Sequence, residues 1–364
     1  MAKKSTFLIF LLTLLSGFSV SVQTSAQQPL RTVLIEEFTG EWCGWCPIGF
    51  MELEYLAERF GDTLIIVAVH TNDPFEPPSA SGMIGAWFSA APSALVNRTF
   101  DTLLQAQTFY PELWEEVISR QINTPSPCNT GLTYTYNEQT RELTAKVTAA
   151  FTADYTGDAR LSLYIVEDSV AGHMQSNYLS GNSSFINTPY YSMPQYIPDF
   201  PHQHVLREMV GDSYGIDGII PDTVYQGQNF EYTFNYVIPD DYNTDNLHLI
   251  GVVQQYKGLK RHRKILNSVH YKFDPTISAT TSVELLHMPS VWPNPARNTI
   301  HIKTNDSEMI KMVSLYSLSG KCLKSQSCGD AHAAFSLNEI SSQTCILVIR
   351  TDSNVYYRKV IVLN

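Results

Sequence analysis

Hydrophobic side chains recur along this chain with two different periods, and the period changes by region. From Thr32 to about Thr124, strand-like and helical stretches alternate. Val33 to Phe38 is β-prone, and between Pro47 and Phe60 apolar residues return at helical spacing through Phe50, Met51, Leu53, Leu56, Ala57 and Phe60. Gly61 follows directly, a fitting residue for a helix C-terminus. Leu64 to Val69 is a continuous aliphatic run, the pattern of a strand covered on both faces of a mainly parallel sheet. Pro111 opens a second amphipathic stretch through Leu113, Trp114, Val117, Ile118 and Ile122. These patterns predict an α/β domain over residues 30–125.

From Gly131 to Phe273 the helical period disappears and alternation takes over. Leu132-Tyr134-Tyr136, Leu143-Ala145-Val147-Ala149-Phe151, Leu161-Leu163-Ile165 and Phe230-Tyr232-Phe234-Tyr236-Ile238 all read as strands with one buried face. Leu247 to Tyr256 and Lys264 to Phe273 add two more. Residues 128–275 are therefore expected to form an all-β, immunoglobulin-like sandwich. A Ser/Thr/Ala-rich linker, 276–282, leads to a third unit over 283–364, also strand and turn. Two segments stand apart from the alternation. The stretch from Ala171 to Pro201 is a long, aromatic-rich connection, read as a lid, a peptide-contacting flap or packing against the sandwich. Lys257 to Lys264 is a basic strand–turn–strand junction, read as a solvated turn rather than a polysaccharide contact.

At the N-terminus, Lys3 and Lys4 precede a short apolar stretch from Phe7 to Leu15, and Thr24-Ser25-Ala26 ends in small residues. This is the order of an export signal over residues 1–26. No cysteine follows the apolar run, which argues against a lipid anchor. The net charge of -11 becomes -13 once the two lysines are removed, against the cation excess of a nucleic-acid binder. Export into an oxidising compartment changes how the 6 cysteines read, although they are too few to build a disulfide scaffold of this length.

The chemistry lies in Trp42-Cys43-Gly44-Trp45-Cys46-Pro47. A Cys-x-x-Cys pair between a strand and a helix is a dithiol geometry. The first cysteine at the helix N-terminus is favoured as thiolate and nucleophile, and the second resolves the mixed disulfide. Zinc sites use the same pair but need a second one, and no other Cys-x-x-Cys or His-x₃-His spacing occurs. An inert structural disulfide is the remaining alternative.

VLIEEFTGEWCGWCP, from Val33 to Pro47, resembles the active-site strand and helix start of the thioredoxin superfamily, and the likeness extends to Ala91-Pro92-Ser93-Ala94-Leu95-Val96. It implies that Pro92 is a cis-proline facing the disulfide, with neighbouring backbone at Ala91 pairing with a substrate peptide. An ordinary strand-edge proline is the alternative. It also implies that Glu37, six residues before Cys43, is a buried acid that moves the resolving thiol's proton. Strand alternation would send adjacent Glu36 outward, and a solvated glutamate is the alternative for Glu37. The Gly44-Trp45 dipeptide departs from the pairs of known reducing and oxidising members, leaving the direction of electron flow open. Trp42 and Trp45 flank the dithiol as substrate-docking surface or as core.

EEFTGEWCGWCP, VAVHTNDPF, APSALVNR and His202-Gln203-His204-Val205-Leu206-Arg207 together resemble a family of Bacteroidetes outer-membrane proteins, the 28-kDa antigen-related family. His202 and His204 at this spacing would share a strand face, as structural hydrogen-bonding groups rather than metal ligands. Val291-Trp292-Pro293-Asn294-Pro295, Leu315 to Lys321 and Tyr357 to Val362 resemble the C-terminal sorting domain of the type IX secretion system. That likeness implies recognition by the outer-membrane machinery and attachment to surface polysaccharide. Thr344-Cys345 departs from it, and Cys322 and Cys328 are read as bracketing a turn, their pairing with each other left open because sequence does not fix connectivity. The expectation is a surface-directed thiol–disulfide oxidoreductase acting on protein or peptide thiols and disulfides, with no metal, cofactor or nucleic acid. A surface adhesin that uses the fold as a scaffold is the alternative.

Overall fold

In a computed structural model of the chain, residues 28–122, 124–276, 289–304, 308–318, 321–352 and 355–363 are described. The export signal expected over 1–26 lies outside them, as does the linker expected over 276–282 apart from Thr276. No helix among the described residues is long and apolar enough to cross a membrane.

The first region contains β1 (Val33–Thr39), α1 (Cys46–Phe60), β2 (Leu64–His70), α2 (Ser81–Trp87), β3 (Ser93–Val96), β4 (Thr108–Phe109) and α3 (Pro111–Gln121). At the end of α1, Gly61 at φ 52° returns its N–H to the Ala57 carbonyl. The pattern of residues 71–90 reads as a connection, yet α2 forms there. Gly82 and Gly85 weaken its helical signal, and burial of Met83 and Trp87 supplies the missing stabilisation. β1 runs parallel to β2 and antiparallel to β3, with helices on both faces, so all of its residues are buried. Val33 and Ile35 cluster with residues of α1 and α3, whereas Leu34 and Phe38 cluster with Met83 and Trp87 of α2.

The second region contains β5 (Cys128–Asn137), β6 (Glu142–Phe151), β7 (Tyr155–Thr156), β8 (Asp158–Glu167), β9 (Gln175–Ser176), β10 (Tyr196–Ile197), β11 (Val205–Val210), β12 (Thr223–Val224), β13 (Asn229–Val237), β14 (Leu247–Tyr256) and β15 (Lys264–Lys272). β5, β6 and β13 form one sheet, and Leu132, Val147 and Phe151 pack across to Leu161, Leu163, Leu249 and Val253. That is a two-layer arrangement, but its second layer is not self-contained. Val205 of β11 pairs with Ala68 of β2, giving one eight-stranded sheet in the order β15-β14-β8-β11-β2-β1-β3-β4. The physical reason is the free edge of β2, whose unpaired backbone groups β11 satisfies. The opposite face carries Tyr164, Val166 and Ile250 into the cluster of Leu34, Phe38 and Trp87. The change in texture near residue 126 is not a break in packing.

The third unit holds β16 (Ser290–Trp292), β17 (Thr299–Lys303), β18 (Ile310–Ser317), β19 (Cys322–Asp330), β20 (His332–Ser336), β21 (Gln343–Thr351) and β22 (Val355–Val362). Sheets β16-β17-β20 and β19-β18-β21-β22 enclose Ile300, Val313, Leu315, Phe335 and Leu347. Cys322 and Cys328 do not bracket a turn: both lie on β19 and are unpaired. Six residues of extended strand separate them by about 20 Å, well beyond disulfide reach. Cys128 and Cys345 are buried and also free.

Candidate functional site

After β1 the chain turns through Gly40–Trp45 before α1 begins. The Cys43 N–H donates to the Gly40 carbonyl (2.9 Å) and the Cys46 N–H to the Cys43 carbonyl (3.1 Å). Cys43 therefore precedes the helix by one turn rather than opening it; Cys46 is the first helical residue, followed by Pro47. A proline fits there because a first-turn N–H has no helical acceptor to lose. Cys43 and Cys46 are joined as a disulfide with Cα atoms 5.4 Å apart. Cys43 is 3% exposed and Cys46 fully buried.

Glu37 lies on the face of β1 that carries Val33 and Ile35. It is fully buried, neither carboxyl oxygen has a hydrogen-bond partner, and burial pushes its pKa well above the usual carboxylate range. A Cβ on Gly49 would collide with Glu37 Oε1 and come within 3.1 Å of Trp114 and 3.2 Å of Pro92. Glycine at 49 thus lets α1 approach the carboxyl closely, and Glu37, α1 and Pro92 meet at one place. The Ala91–Pro92 bond is cis and leads directly into β3.

Glu36 does not point to solvent. Alternation turns it to the other face of β1, but α2 and the second region cover that face too. The fully buried carboxylate receives two bonds from Arg98, Nε to Oε2 at 2.7 Å and Nη2 to Oε1 at 2.6 Å. Arg98 also donates to the Ser213 carbonyl, Gln254 Oε1 and the Tyr164 hydroxyl. Burial opposes its charge, but the Glu36 carboxylate together with the Tyr164 and Tyr214 hydroxyls outweighs that and holds the Arg98 pKa above its ordinary value. This polar knot ties the first region to the second.

The connection from 171 to 201 lies on the Cys-x-x-Cys turn itself. The Ser176 N–H donates to the Glu41 carbonyl and the Tyr178 N–H to the Gly44 carbonyl, each at 2.8 Å. Buried Gln175 donates from Nε2 to the Cys43 carbonyl at 2.9 Å. The Tyr178 ring lies against Gly44, where a Cβ would collide with it, and meets Trp45 edge-on at 5.5 Å between centroids. Phe185 packs on Trp45 and Phe200 on Phe50. Trp42 is half-exposed and anchored by its Nε1–H to the Thr71 carbonyl at 2.6 Å. Of the residues the sequence singles out, Cys43 and Cys46 are bonded to each other, and Glu37 and Pro92 both approach Gly49 of α1. Trp45 lies at the turn under the 171–201 segment, while no side-chain contact defines a role for Ala91. Gln175, Tyr178, Gly49 and Arg98 go unnoticed in the sequence; only the aromatic density of 171–201 signals the first two.

His202 and His204 do not share a face. His204 has φ 56°, which breaks the extended alternation, and its ring turns to Asp168 at 3.1 Å. His202 is buried against His70 and Phe200, and burial with the neighbouring His70 pushes its pKa down to about 3. Among the described residues, no group of three or more His, Cys, Asp or Glu side chains is placed to hold a metal ion. The basic junction holds a short 3-10 turn over Lys260–His262, with Arg263 lying over the rings of Tyr214 and Tyr256.

Comparison with solved structures gives HBP35 of Porphyromonas gingivalis at 17% identity and a TM-score of 0.51, covering 93% of this chain and 99% of that one. That likeness concerns the fold. A protein of Agrobacterium tumefaciens aligns at 10% identity and a TM-score of 0.40, over 68% of this chain and 97% of its own. No curated protein matches. Residues 290–363 match the secretion system C-terminal sorting domain, which implies interaction with the type IX secretion machinery. Residues 84–274 match the model for outer membrane protein Omp28, and together the two matches support export to the outer membrane or cell surface. With more than half of its length in that match, the chain belongs to the outer membrane protein Omp28 family.

Proposed function

We propose that this chain is a thiol–disulfide oxidoreductase of the cell surface, with a thioredoxin-like redox unit over 30–125, β layers over 128–275 and a sorting unit over 283–364. Cys43 attacks, Cys46 resolves and Glu37 handles the resolving proton. The observation that carries the reading is Glu37. An inert structural disulfide gives no reason to keep a fully buried carboxyl without a partner, because ionising one there costs several kcal/mol. A proton carrier whose pKa must approach that of a thiol does give one.

With the dithiol reduced, the Cys43 thiolate attacks one sulfur of a substrate disulfide, forming a mixed disulfide and releasing the other sulfur as thiolate. Glu37, once its own proton has passed to solvent, accepts the Cys46 proton, and Cys46 attacks Cys43 Sγ, which restores the Cys43–Cys46 bond and releases the second substrate thiolate. Two electrons pass to the substrate; oxidation of a substrate dithiol is the same path reversed. Pro92 and Ala91 are assigned to the substrate backbone, and Trp42 and Trp45 to its docking.

The test is an alkylation–pH profile of the reduced full chain. The expected Cys43 midpoint lies at least one unit below the free thiol value of about 8.5, and Cys46→Ser should accumulate mixed disulfides with protein thiols. A midpoint at 8.5 or above, with no trapped species, would leave the scaffold reading of a surface adhesin.

A further inference from the structure

Residues 171–201 are held together more by bonds among themselves than by bonds to the turn they cover. Their neck is closed by reciprocal backbone hydrogen bonds between Val170 and His202, both 2.9 Å. Inside, the buried Asn177 side chain donates to the Tyr190 and Pro194 carbonyls at 2.8 and 3.2 Å, and its N–H reaches the Gln195 carbonyl at 2.8 Å. Phe200 N–H donates to the His173 carbonyl at 2.7 Å. Left-handed residues flank the neck, Ser169 at φ 58°, Gly172 at 89° and Asp199 at 51°. The segment is a preformed body on a narrow base, the construction of an element able to move as a unit.

Its ties to the redox turn are hydrogen bonds, ring contacts and one His–Glu pair. Two backbone N–H groups and the Gln175 amide reach the carbonyls of Glu41, Gly44 and Cys43. The Tyr178 ring closes over Gly44, and His173 Nδ1 meets Glu41 Oε1 at 2.7 Å. The seated segment thereby covers the backbone beside the disulfide. With the segment seated, the Cys43 residue is only 3% exposed.

We propose that residues 171–201 are a self-docked lid occupying the protein-docking surface of the Cys43–Cys46 disulfide, so that the resting chain exchanges with small thiols far faster than with protein thiols. This rests on the redox reading of the dithiol. A small thiolate needs only a line to Cys43 Sγ, whereas a protein thiol brings a backbone that competes for the space of Gln175 and Tyr178. Its rate is therefore scaled by the fraction of chains with the lid raised. The exchange balances. One thiolate of a dithiol reductant attacks Cys43 Sγ, the Cys43–Cys46 bond breaks and Cys46 leaves as thiolate. The reductant's second thiolate then resolves the mixed disulfide. The reductant becomes a disulfide, and its two protons pass to the new thiols.

The experiment compares reduction rates of the full-length oxidised protein by dithiothreitol and by a reduced protein dithiol, for wild type, Tyr178→Ala and Gln175→Ala. Loss of an aromatic contact or an amide tie should raise the protein-dithiol rate about tenfold, with a much smaller change for dithiothreitol. Equal protein-dithiol rates in all three chains would overturn the lid and leave the redox reading standing. No reduction by either reagent in any chain, with reduction only after denaturation, would overturn both. Hydrogen exchange in the unmutated protein guards against misfolded variants. The Ser176 and Tyr178 amides should exchange well ahead of those of Val170 and His202, and protection equal to that of β8 would overturn the lid.

Discussion

Replacing Glu37 by glutamine isolates the behaviour of one proton. In the native protein the carboxyl is buried and unpartnered, so its pKa stands well above the unfolded value. A folded-state pKa raised in this way means that the native chain keeps a proton the unfolded chain has already released. Stability is then fully present below the unfolded pKa of 4.5 and falls as pH rises toward the folded pKa. The slope for a single proton is about 1.4 kcal/mol per pH unit, so two units remove about 3 kcal/mol. That is a large part of the roughly 5–15 kcal/mol that holds a domain folded. Glutamine has nearly the same shape and does not titrate in this range. Urea unfolding of the oxidised wild type and Glu37→Gln at pH 5, 6, 7 and 8 should show the variant gaining on the wild type as pH rises. The difference should flatten only where Glu37 itself ionises. The buried amide sets a constant offset, which cancels from the slope. A difference that stays flat from pH 5 to 8 would refute the reasoning, because Glu37 would then be ionised and satisfied in the folded chain.

Two further outcomes follow from the geometry. Arg98→Met leaves Glu36 charged, buried and unpaired and should cost about 3–5 kcal/mol in urea unfolding, much of it recovered in the double variant Glu36→Gln/Arg98→Met; a loss under about 1 kcal/mol would contradict the buried pair. Deleting residues 289–364 removes the matched sorting domain and should leave a folded chain in the periplasm, measured by surface labelling against periplasmic fractionation, and undiminished surface delivery would contradict the sorting assignment.

What the amino-acid pattern reveals, and what it hides, has a physical basis at each position. α1 is legible because Leu53 and Leu56 form a stripe with Gly61 beyond its end, and β2 because a wholly aliphatic run has to be covered on both faces. The dithiol is legible through its spacing, and Glu37 through the resemblance to the thioredoxin superfamily. Glu36 is not, because alternation assigns it to the far face of β1 without saying that α2 and Arg98 close that face as well. The lid contacts are hidden for a different reason. Ser176 and Tyr178 bind through backbone N–H groups, which any non-proline residue supplies, so the side chains carry little trace of them. The union of the two β regions hangs on the pairing of Val205 with Ala68, and no local period encodes a partner so distant in the chain.

That pairing also sets an order of events for the newly made chain. β2 is complete long before β11 emerges, and the cluster of Leu34, Phe38 and Trp87 lacks Tyr164, Val166, Leu206 and Ile250 until then. Contacts so far apart in sequence form slowly, and the waiting chain exposes both a strand edge and an apolar surface prone to association. Residues 30–125 expressed alone would keep the dithiol but remain in that unfinished condition, with the edge of β2 open to other strands. The exported chain is thus obliged to hold the segment bearing the dithiol incomplete until more than half of its length has emerged.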